Sequence, residues 1–537
     1  MHSSKNAGPP GLAPSPHISP AEVSDTRFIF DAIREFAETR GDHTALIYAD
    51  RRSSYSQLAQ NMDRVANGLA SLGLEPQSRI AMLAGNKDCF FEIWFGAALG
   101  GFVLTPINAR LAPPEVLYIV NDSHAEVLIV DEPFHKLVEG IRPEFSTVRH
   151  TISLGEHPEW IAYAEWRDEQ SSTKVQVRND PGDTVVQMYT SGTTGFPKGV
   201  ELNHTSVLAC VRSMMGRDAW NPGEVALVTA PLFHTAGSAW ANCALQSGGT
   251  VVLLREMNAA NMLRAIEQNR VTEALLVPAV IQMALQSPDC AKTDFSSLRR
   301  LLYGASPITL PLLRQAIEAF GCEMEQGYGL TETVGPVAML PPEDHVDEGK
   351  LKSCGKAVPG SKIRVVDADG SDCAPGDVGE IVVSGVQVMN GYWNRPEDTA
   401  AAIRDGWFHT GDAGYFDADG YLYIHDRLKD MIVSGAENVY PAEVERALED
   451  CPGIAEVAVI GVPDQRWGEA VKAVVVAEPG TDVSARDIID YARTRIASFK
   501  CPKSVDFVDA IPRNPSGKIL KKVLRAPYWE GHERKVS

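Results

Sequence analysis

The chain has 537 residues, of which 44% are hydrophobic and 22% charged, and its formal net charge is −20. This length is too great for a single core, so we expect two or more domains in a globular protein. The excess of negative charge argues against nucleic acid or an anionic membrane surface as the main partner. Nine cysteines without a Cys-x-x-Cys pair indicate reduced thiols and predict a cytoplasmic protein.

The N-terminal segment and the longest apolar stretch test for targeting or membrane signals. Residues 1–20 are rich in Pro, Ser, Gly and Ala but lack the apolar core of a signal peptide, so they predict a disordered tail. The longest apolar stretch, Phe90–Ile107, contains Glu92 and Pro106. It predicts a core helix followed by a strand rather than a membrane span.

Between residues 30 and 320, strand-like apolar runs alternate with helical patterns. This alternation is typical of α/β layers with largely parallel sheets. The predicted strands are Arg79–Leu83, Val127–Val130, Val185–Met188, Thr250–Leu254, Glu273–Val277 and Leu298–Tyr303, and the predicted helices include Asn261–Gln268 and Leu310–Phe320.

After residue 345 the pattern changes to short strands separated by Asp/Gly turns, which predicts a small β-rich subdomain. A compact α+β unit follows, with its border near Arg427–Asp430. We therefore divide the chain into a tail (1–20), an N-terminal domain (21–428), a C-terminal domain (429–527) and a second tail (528–537). The predicted elements are strands Ile363–Val366, Glu380–Val383, Tyr421–Ile424, Ala455–Gly461 and Val471–Ala477, and helices Pro441–Asp450 and Ser484–Ala497.

The most informative motif is Tyr189–Gly199, which reads Tyr-Thr-Ser-Gly-Thr-Thr-Gly-Phe-Pro-Lys-Gly. Its glycines allow backbone N–H groups to turn toward an anion, while its hydroxyls and Lys198 add further donors. The composition indicates a polyphosphate loop, with ATP as the first candidate ligand. It is not a Walker P-loop, because Gly199 follows Lys198 where that motif needs Ser or Thr. Taken alone, the segment is equally compatible with a flexible surface turn.

A second motif, Gln326–Glu332, reads Gln-Gly-Tyr-Gly-Leu-Thr-Glu and follows a predicted strand, Glu323–Glu325. Tyr328 lies between glycines, so its ring can lie flat on a base. Thr331 offers a hydroxyl to a phosphate, and Glu332 offers a hard oxygen to the Mg²⁺ that accompanies ATP.

Two more motifs lie nearer the C-terminus. Phe408–Asp412 reads Phe-His-Thr-Gly-Asp, and Asp412 suits the two hydroxyls of a ribose, with Arg427 as a reinforcing contact. Pro512–Lys518 presents a single lysine on a Gly-containing turn.

With these four motifs in this order, the sequence resembles the adenylate-forming superfamily of acyl-CoA synthetases, firefly luciferase and peptide-synthetase adenylation domains. The resemblance covers the chain from about residue 30 to residue 525. It implies the ANL fold, in which a large N-terminal domain of α/β layers with a small β-rich subdomain carries a mobile small α+β C-terminal domain.

The resemblance implies binding of ATP with Mg²⁺. The implied ATP and AMP contacts are Thr190, Ser191, Gly192, Thr193, Thr194, Lys198, Gly304, Ala305, Ser306, Gln326, Gly327, Tyr328, Gly329, Thr331, Asp412 and Arg427. The implied metal ligands are Glu332 and Thr190, and the implied catalytic residues are Lys518, Glu332, Thr331 and His234. Among these, Lys518 would bridge the carboxylate and the α-phosphate during adenylation.

The resemblance also implies a hinge at Lys429 and a CoA site. The segment Ser434–Pro441 resembles the loop that the C-terminal domain supplies for thioester formation. The implied CoA contacts are Ser434, Gly435, Lys500 and Lys503. The two lysines belong to a basic segment, residues 491–525, with nine Lys/Arg against two Asp. Such a run taken alone is also typical of a solvated helix face.

The acid pocket is implied by Pro231–Gly237, which matches the family loop whose histidine lies near the substrate carboxylate. The implied pocket residues are His234, Thr235, Ser238, Trp240, Gly304, Gly329 and Val334. The indole of Trp240 either shortens this pocket or is a buried part of the core, and the sequence leaves both alternatives open.

The implied activity is that of a stand-alone acid–CoA ligase. A carboxylic acid and ATP would give acyl-AMP and pyrophosphate, and CoA would then give acyl-CoA and AMP. We expect a medium- or long-chain fatty acid, with aryl, cinnamic-type or alicyclic acids and an amine acceptor as alternatives. A luciferase-type oxidoreductase and a silent acyl-AMP-binding protein are alternatives of other classes. The expected partners are the acid, ATP and CoA, and the sequence leaves a homodimer open.

Overall fold

The structure is a computed structural model that describes residues 28–176, 179–190, 196–215, 220–305, 308–427, 431–434, 437–512 and 519–530. Several predictions fall outside these residues: the tail 1–20, the border at 428–430 with its hinge Lys429, and the site residues Ser191, Gly192, Thr193, Thr194, Ser306, Gly435 and Lys518.

The first part of the chain alternates strands and helices as the sequence predicts. Ser54 begins the second helix with a capping box, in which its side chain and that of Gln57 each accept a backbone N–H. The elements are α1 (Asp31–Thr39), β1 (Thr44–Tyr48), β2 (Arg51–Ser54), α2 (Tyr55–Ser71), β3 (Arg79–Leu83), α3 (Cys89–Leu99), β4 (Val103–Ile107), α4 (Pro113–Asp122), β5 (Ala125–Val130), α5 (His135–Ile141), β6 (His150–Ser153), β7 (Ile161–Ala162) and α6 (Tyr163–Glu169).

The same alternation continues to residue 340. Thr309 caps the helix Leu310–Phe320, and Gly321 ends it in the left-handed conformation, the arrangement that glycine favours at a helix C-terminus. The elements are β8 (Thr184–Thr190), β9 (Lys198–Asn203), α7 (His204–Met215), β10 (Val225–Val228), α8 (Thr235–Gln246), β11 (Thr250–Leu253), α9 (Ala259–Gln268), β12 (Glu273–Leu276), α10 (Pro278–Leu285), β13 (Arg300–Gly304), α11 (Leu310–Phe320), β14 (Glu323–Gly329) and β15 (Pro336–Leu340).

The predicted β-rich subdomain and C-terminal α+β unit are both present. The first contains β17 (Ser361–Val366), β18 (Gly379–Gly385), α12 (Pro396–Ala402), β20 (Ile403–Arg404), β21 (Trp407–Phe416) and β22 (Leu422–Arg427), while β16 (Lys356–Ala357) and β19 (Gly391–Tyr392) pair with strands of the N-terminal part. The second contains β23 (Ile432–Ser434), β24 (Glu437–Val439), α13 (Pro441–Leu448), β25 (Ile454–Asp464), β26 (Gly468–Ala477), α14 (Ala485–Arg493), β27 (Ser504–Phe507) and α15 (Lys521–Trp529).

Two large sheets, mostly parallel, form the body of the N-terminal part. Their strand orders are β16-β15-β14-β13-β12-β10-β11-β1-β2 and β19-β9-β8-β4-β3-β5-β6-β7. A five-stranded sheet, β17-β18-β21-β20 with β22 on β21, forms the small subdomain, and β24-β23-β26-β25 with β27 on β26 forms the C-terminal unit. The fold is therefore the predicted mixture of α/β layers, a small β-rich subdomain and a small α+β domain.

A shared helix layer lies between the two large sheets. Helices α2, α3 and α8 contribute buried side chains to one core that also includes the inward faces of both sheets. In β10, Ala226 faces this core while Leu227 faces α9, α10 and α11, as strand alternation requires. The segment Phe90–Ile107 is a core helix and a strand, which confirms that prediction. No helix in the described part of the chain is both long enough and apolar enough to cross a membrane.

Gly355 joins the first large sheet to the small subdomain, because its carbonyl accepts the N–H of Leu422 at 2.8 Å. Its φ is +74°, and an added Cβ would lie 1.8 Å from the Met339 carbonyl oxygen. Gly360 has a similar φ of +84° but has no neighbour within 4 Å of an added Cβ.

We expect Gly355→Ala to lower the free energy of unfolding by about 2–5 kcal/mol, since left-handed strain and a backbone clash add together. Gly360→Ala is the matched control and should cost about 1–2 kcal/mol, because only the strain applies. Urea unfolding followed by tryptophan fluorescence compares the two variants. Equal losses would show that the clash at Gly355 is relieved without cost.

Candidate active site

One cavity of about 640 Å³ lies where the two large sheets, the small subdomain and the C-terminal unit meet. Strands β10, β12, β13 and β14 pair in parallel, so their carboxyl ends lie at one edge of the first sheet and face this cavity. The predicted site residues that line it are Thr190, Lys198, His234, Thr235, Gly304, Ala305, Gly327, Gly329, Thr331, Glu332, Asp412 and Lys500.

Lys198 and Thr190, which the sequence analysis assigns to phosphate binding, both line the cavity. The Lys198 ammonium lies 2.5 Å from Asp398 Oδ1 and 5.1 Å from the ring centroid of Tyr392. A polyphosphate entering the cavity would compete with Asp398 for this ammonium. Tyr392 and Asp398 lie about two hundred residues from the loop motif, and the sequence analysis did not select them.

Glu332 provides a carboxylate at the same cavity. The Tyr392 hydroxyl donates to Glu332 Oε1 at 2.9 Å. Burial and the neighbouring Glu332 charge raise the pKa of Tyr392 well above its ordinary value, so this hydroxyl stays a donor. A carboxylate and the Thr190 hydroxyl are oxygen ligands of the kind that Mg²⁺ takes, so the residues present fit this ion.

The side of the cavity where the sequence analysis expects adenine is built where β13 and β14 pair closely. Gly304 lies opposite Gly327, and an added Cβ on Gly304 would lie 2.3 Å from the Gly327 carbonyl oxygen. Ala305 follows with φ of +61°, a strained value for a residue with a side chain. Gln326 of β14 has a buried Oε1 for which no described residue is a hydrogen-bond partner. This oxygen is an unused acceptor next to Gly327.

Tyr328 and Asp412 connect the first sheet to the small subdomain. The Tyr328 hydroxyl donates to Asp412 Oδ2 at 2.8 Å, and Asp412 is only 3% exposed. The backbone register of β21 and β22 places Asp412 directly opposite Arg427, the two residues that the sequence analysis paired. Tyr328 itself does not line the cavity, although its neighbours Gly327 and Gly329 do.

His234 is the N-cap residue of α8 and is 43% exposed at the cavity. Its Nε2 lies 3.5 Å from Oε2 of Glu437 in the C-terminal unit, and Arg110 donates to Oε1 of the same carboxylate. Burial alone would raise the pKa of Glu437. The hydrogen bond to His234 and the charges of His234 and Arg110 outweigh burial and hold this pKa below its usual range.

Phe196, a residue of the motif Tyr189–Gly199, also contacts the C-terminal unit. The ring of Phe196 stacks on Tyr118 of α4, with ring centroids 5.2 Å apart. The guanidinium of Arg446, from α13, lies 3.5 Å from the Phe196 ring centroid on a cation–π contact. Phe196 is thus held between the two parts of the chain.

The lining also includes five apolar side chains, which we call the apolar wall: Phe233, Met257, Leu275, Val277 and Val280. These side chains follow or belong to β10, β11, β12 and α10, and each remains partly exposed to the cavity. Apolar side chains left uncovered inside a cavity are typical of a site for an apolar ligand group. The sequence analysis missed all five, since nothing in their local pattern distinguishes them from core residues.

Three predicted pocket residues lie in the core instead of lining the cavity. Trp240 is 3% exposed, donates from Nε1 to the Leu227 carbonyl at 3.1 Å, and packs edge-on against Trp220. Ser238 donates to the His234 carbonyl at 3.1 Å, and Val334 is 3% exposed within the core. Of the two alternatives for Trp240, the structure has the buried core residue.

The predicted CoA lysines differ in their surroundings. Lys503 is exposed and donates to the Ser498 carbonyl at 2.8 Å. Lys500 is 4% exposed, and its ammonium is held by two carboxylates. In this arrangement it is not available to a phosphate. Ser434 is buried at the end of β23.

Two protein-family models match this chain and together show which family it belongs to. The AMP-binding enzyme model matches residues 33–393, and the AMP-binding enzyme C-terminal domain model matches residues 443–518. The chain belongs to the AMP-binding enzyme family. This confirms the superfamily, the fold and the AMP-forming ligase class that the four motifs predicted.

Curated relatives cover nearly the whole chain. It is 41% identical to a fatty acid–[acyl-carrier-protein] ligase, ScoC, of Streptomyces coeruleorubidus over 92% of this chain and 95% of that protein. It is 40% identical to a feruloyl-CoA synthase of Amycolatopsis sp over 90% and 96%. It is 39% identical to the long-chain-fatty-acid–CoA ligase FadD13 of Mycobacterium tuberculosis over 89% and 94%.

Solved structures agree with this AMP-binding enzyme fold. The amide bond synthetase McbA from Marinactinospora thermotolerans superposes with a TM-score of 0.85 at 31% identity, over 93% of this chain and 99% of that chain. Two structures of Bacillus subtilis o-succinylbenzoate CoA synthetase differ in their match, each over 92% of this chain and 97% of that chain. The complex with a product analogue, OSB-NCoA, gives 0.82 at 31% identity, and the complex with the acyl-adenylate gives 0.67 at 32%.

We expect Trp240→Phe to lower the free energy of unfolding by about 1–3 kcal/mol, because it removes a buried hydrogen bond and part of an aromatic contact. The Michaelis constant for the acid should stay within about twofold of wild type, since the indole does not reach the cavity. Thermal melting and steady-state kinetics give the two values. A changed acid preference with unchanged stability would show that Trp240 does contact the acid, as the sequence analysis allowed.

Proposed function

We propose that the protein is an AMP-forming acid–CoA ligase that acts on a medium- or long-chain fatty acid. In the first step the acid carboxylate attacks the α-phosphate of ATP and releases pyrophosphate, which leaves acyl-AMP. In the second step the CoA thiol attacks the acyl carbonyl, releases AMP and loses its proton. A carboxylate is already ionised at neutral pH, so the first step needs no general base.

The observation that carries this proposal is the composition of one cavity. The residues assigned to the phosphates and the apolar wall line the same cavity. His234, which the resemblance places near the substrate carboxylate, lines it as well. Such a cavity accommodates an acyl group and a nucleotide together, as an acyl-adenylate requires.

The first step brings two anions together, so its barrier depends on positive charge and preorganised donors. Lys518 and Thr331 are assigned to the α-phosphate, and Lys198 with the loop residues to the β- and γ-phosphates. Asp412 and Arg427 are assigned to the ribose. Glu332 and Thr190 would hold Mg²⁺, which supplies charge to the phosphates when bound with ATP.

The second step is assigned to the arrangement seen in the structure. The better superposition on the product-analogue complex of a CoA synthetase supports this assignment. Glu437 then reaches His234 from the C-terminal domain, three residues after Ser434, which is assigned to CoA. Lys503 is exposed and is assigned to a CoA phosphate, and Lys429 is assigned to the hinge.

The apolar wall supports an acid with an uncharged hydrocarbon tail. Its five members carry no charge and no hydrogen-bonding group, so a second carboxylate on the substrate would lose its hydration without compensation. Fatty acids satisfy this condition, and so do the aryl and alicyclic acids that remain the alternatives. The relatives named above act on fatty and aryl acids, which is consistent with such a wall.

Product analysis by mass spectrometry tests the activity directly. The reaction contains ATP, Mg²⁺, a pool of fatty, aryl and alicyclic acids, and either CoA, an acyl carrier protein or an amine. We expect acyl-CoA with AMP and pyrophosphate, with fatty acids consumed first. If acyl-AMP accumulates in the presence of CoA but is consumed when another acceptor is supplied, that acceptor takes the place of CoA in the proposal.

We expect Lys518→Ala to reduce acyl-AMP formation about a hundredfold or more, since one preorganised contact to the reacting phosphate contributes ~3 kcal/mol. Transfer from supplied acyl-AMP to CoA should be much less affected, because this lysine is assigned to the first step only. Lys521→Ala is the control, as a neighbouring lysine paired with Glu445. Adenylation at the wild-type rate by Lys518→Ala would remove this assignment.

We expect Val280→Phe to raise the Michaelis constant for a long-chain acid about tenfold while a short-chain acid is little affected, because the new ring fills part of the apolar wall. Gln286→Phe, an exposed position just after the same helix, is the control. Kinetics with acids of increasing chain length measure the shift. An equal effect on short and long acids would mean that Val280 does not face the acyl tail.

A further inference from the structure

A buried charge cluster lies at the boundary between the two domains. Lys500 Nζ lies 2.7 Å from Glu115 Oε1 and 2.7 Å from Glu443 Oε1. The three side chains are at most 9% exposed. Glu115 belongs to α4 of the N-terminal domain, while Glu443 and Lys500 belong to the C-terminal domain.

Glu115 makes a second bond across the boundary. Its Oε2 accepts the backbone N–H of Ala497 at 2.8 Å, and the same oxygen accepts the N–H of Ala112 at the start of α4. The carboxylate therefore serves as the N-terminal cap of its own helix and as an acceptor for two donors of the other domain. Only the Ala112 bond lies within the N-terminal domain.

The two carboxylate partners of Lys500 also come from different domains. Its bond to Glu443 stays within the C-terminal domain, whereas its bond to Glu115 requires the present arrangement of the domains. The two carboxylates raise the pKa of Lys500 and outweigh the effect of its burial, so it remains charged. A buried ammonium with two carboxylates is well satisfied, and loss of one leaves its charge less compensated.

From these contacts we propose that Glu115 is a positioning residue that favours the thioester-forming arrangement of the domains by accepting hydrogen bonds from Lys500 and Ala497. This inference rests on the proposed function, in which the C-terminal domain turns between the two steps. It also gives Lys500 a role at the domain boundary in place of the CoA contact that the sequence analysis assigned.

Measuring adenylation and acyl transfer separately distinguishes a positioning role of Glu115 from a general structural role. Glu115→Gln keeps the shape of the side chain and an oxygen for backbone N–H groups, but it removes the charge that faces Lys500. Acid-dependent ATP–pyrophosphate exchange should stay within about twofold of wild type or rise, because the competing arrangement is less populated. Single-turnover transfer from preformed acyl-AMP to CoA should slow about tenfold to a hundredfold, as loss of a charged buried hydrogen bond predicts.

A double-mutant cycle tests whether the effect passes through the named pair. Lys500→Met and the Glu115→Gln/Lys500→Met double variant complete the cycle. The double variant should transfer the acyl group much faster than expected if the two single reductions simply multiplied. Glu144→Gln is the control, as an exposed carboxylate of the same domain, and should leave both half-reactions unchanged. Thermal melting of every variant shows that each is folded.

The outcomes distinguish this inference from the proposed function. Slowing of both half-reactions to the same extent, or of neither, would overturn the positioning role. So would a strictly additive double variant, because the pair would then not act together. If the wild-type enzyme forms acyl-AMP but no acyl-CoA, the proposed acceptor fails instead, and a supplied carrier protein or amine shows whether another acceptor is used.

Discussion

The parallel pairing of β10, β12, β13 and β14 is the constraint on which this site depends. Parallel strands bring their carboxyl ends to a single edge, so loops far apart in sequence open into the same cavity. Gly304 at the end of β13 lets the backbones of β13 and β14 approach closely at that edge. This strand pair thereby builds the side expected to hold adenine, and β10, β11, β12 and α10 supply the apolar wall.

Much of this architecture follows from local sequence pattern. The strand Arg79–Leu83 and the helix Leu310–Phe320 have the predicted bounds, because apolar periodicity and end signals coincide there. Bounds were wrong where tertiary pairing extends an element or a turn ends it. The hairpin of β25 and β26 is longer than predicted, and the predicted helix Ser484–Ala497 ends at Arg493, where a turn begins.

Contacts between distant residues were beyond local pattern. The motif residues of the site could be selected from the sequence because their glycine, hydroxyl and acidic types suit one chemistry, the binding of a nucleotide with its metal ion. Glu115 offers only a capping signal, and Lys500 lies 385 residues further along the chain. Their pairing depends on how two domains meet, which no local window encodes. The same reason explains why Trp240, an aromatic residue beside a functional loop, was open to two interpretations.

The contact between Phe196 and Arg446 has an entropic consequence. Fixing a flexible segment costs conformational entropy, and that cost is counted once for each independent motion. Because the Phe196 ring is held between Tyr118 and Arg446 of α13, side chains from both parts of the chain are ordered together in this arrangement. The entropic cost of fixing the Phe196 ring is therefore shared between its contact in the N-terminal part and its contact with the C-terminal unit.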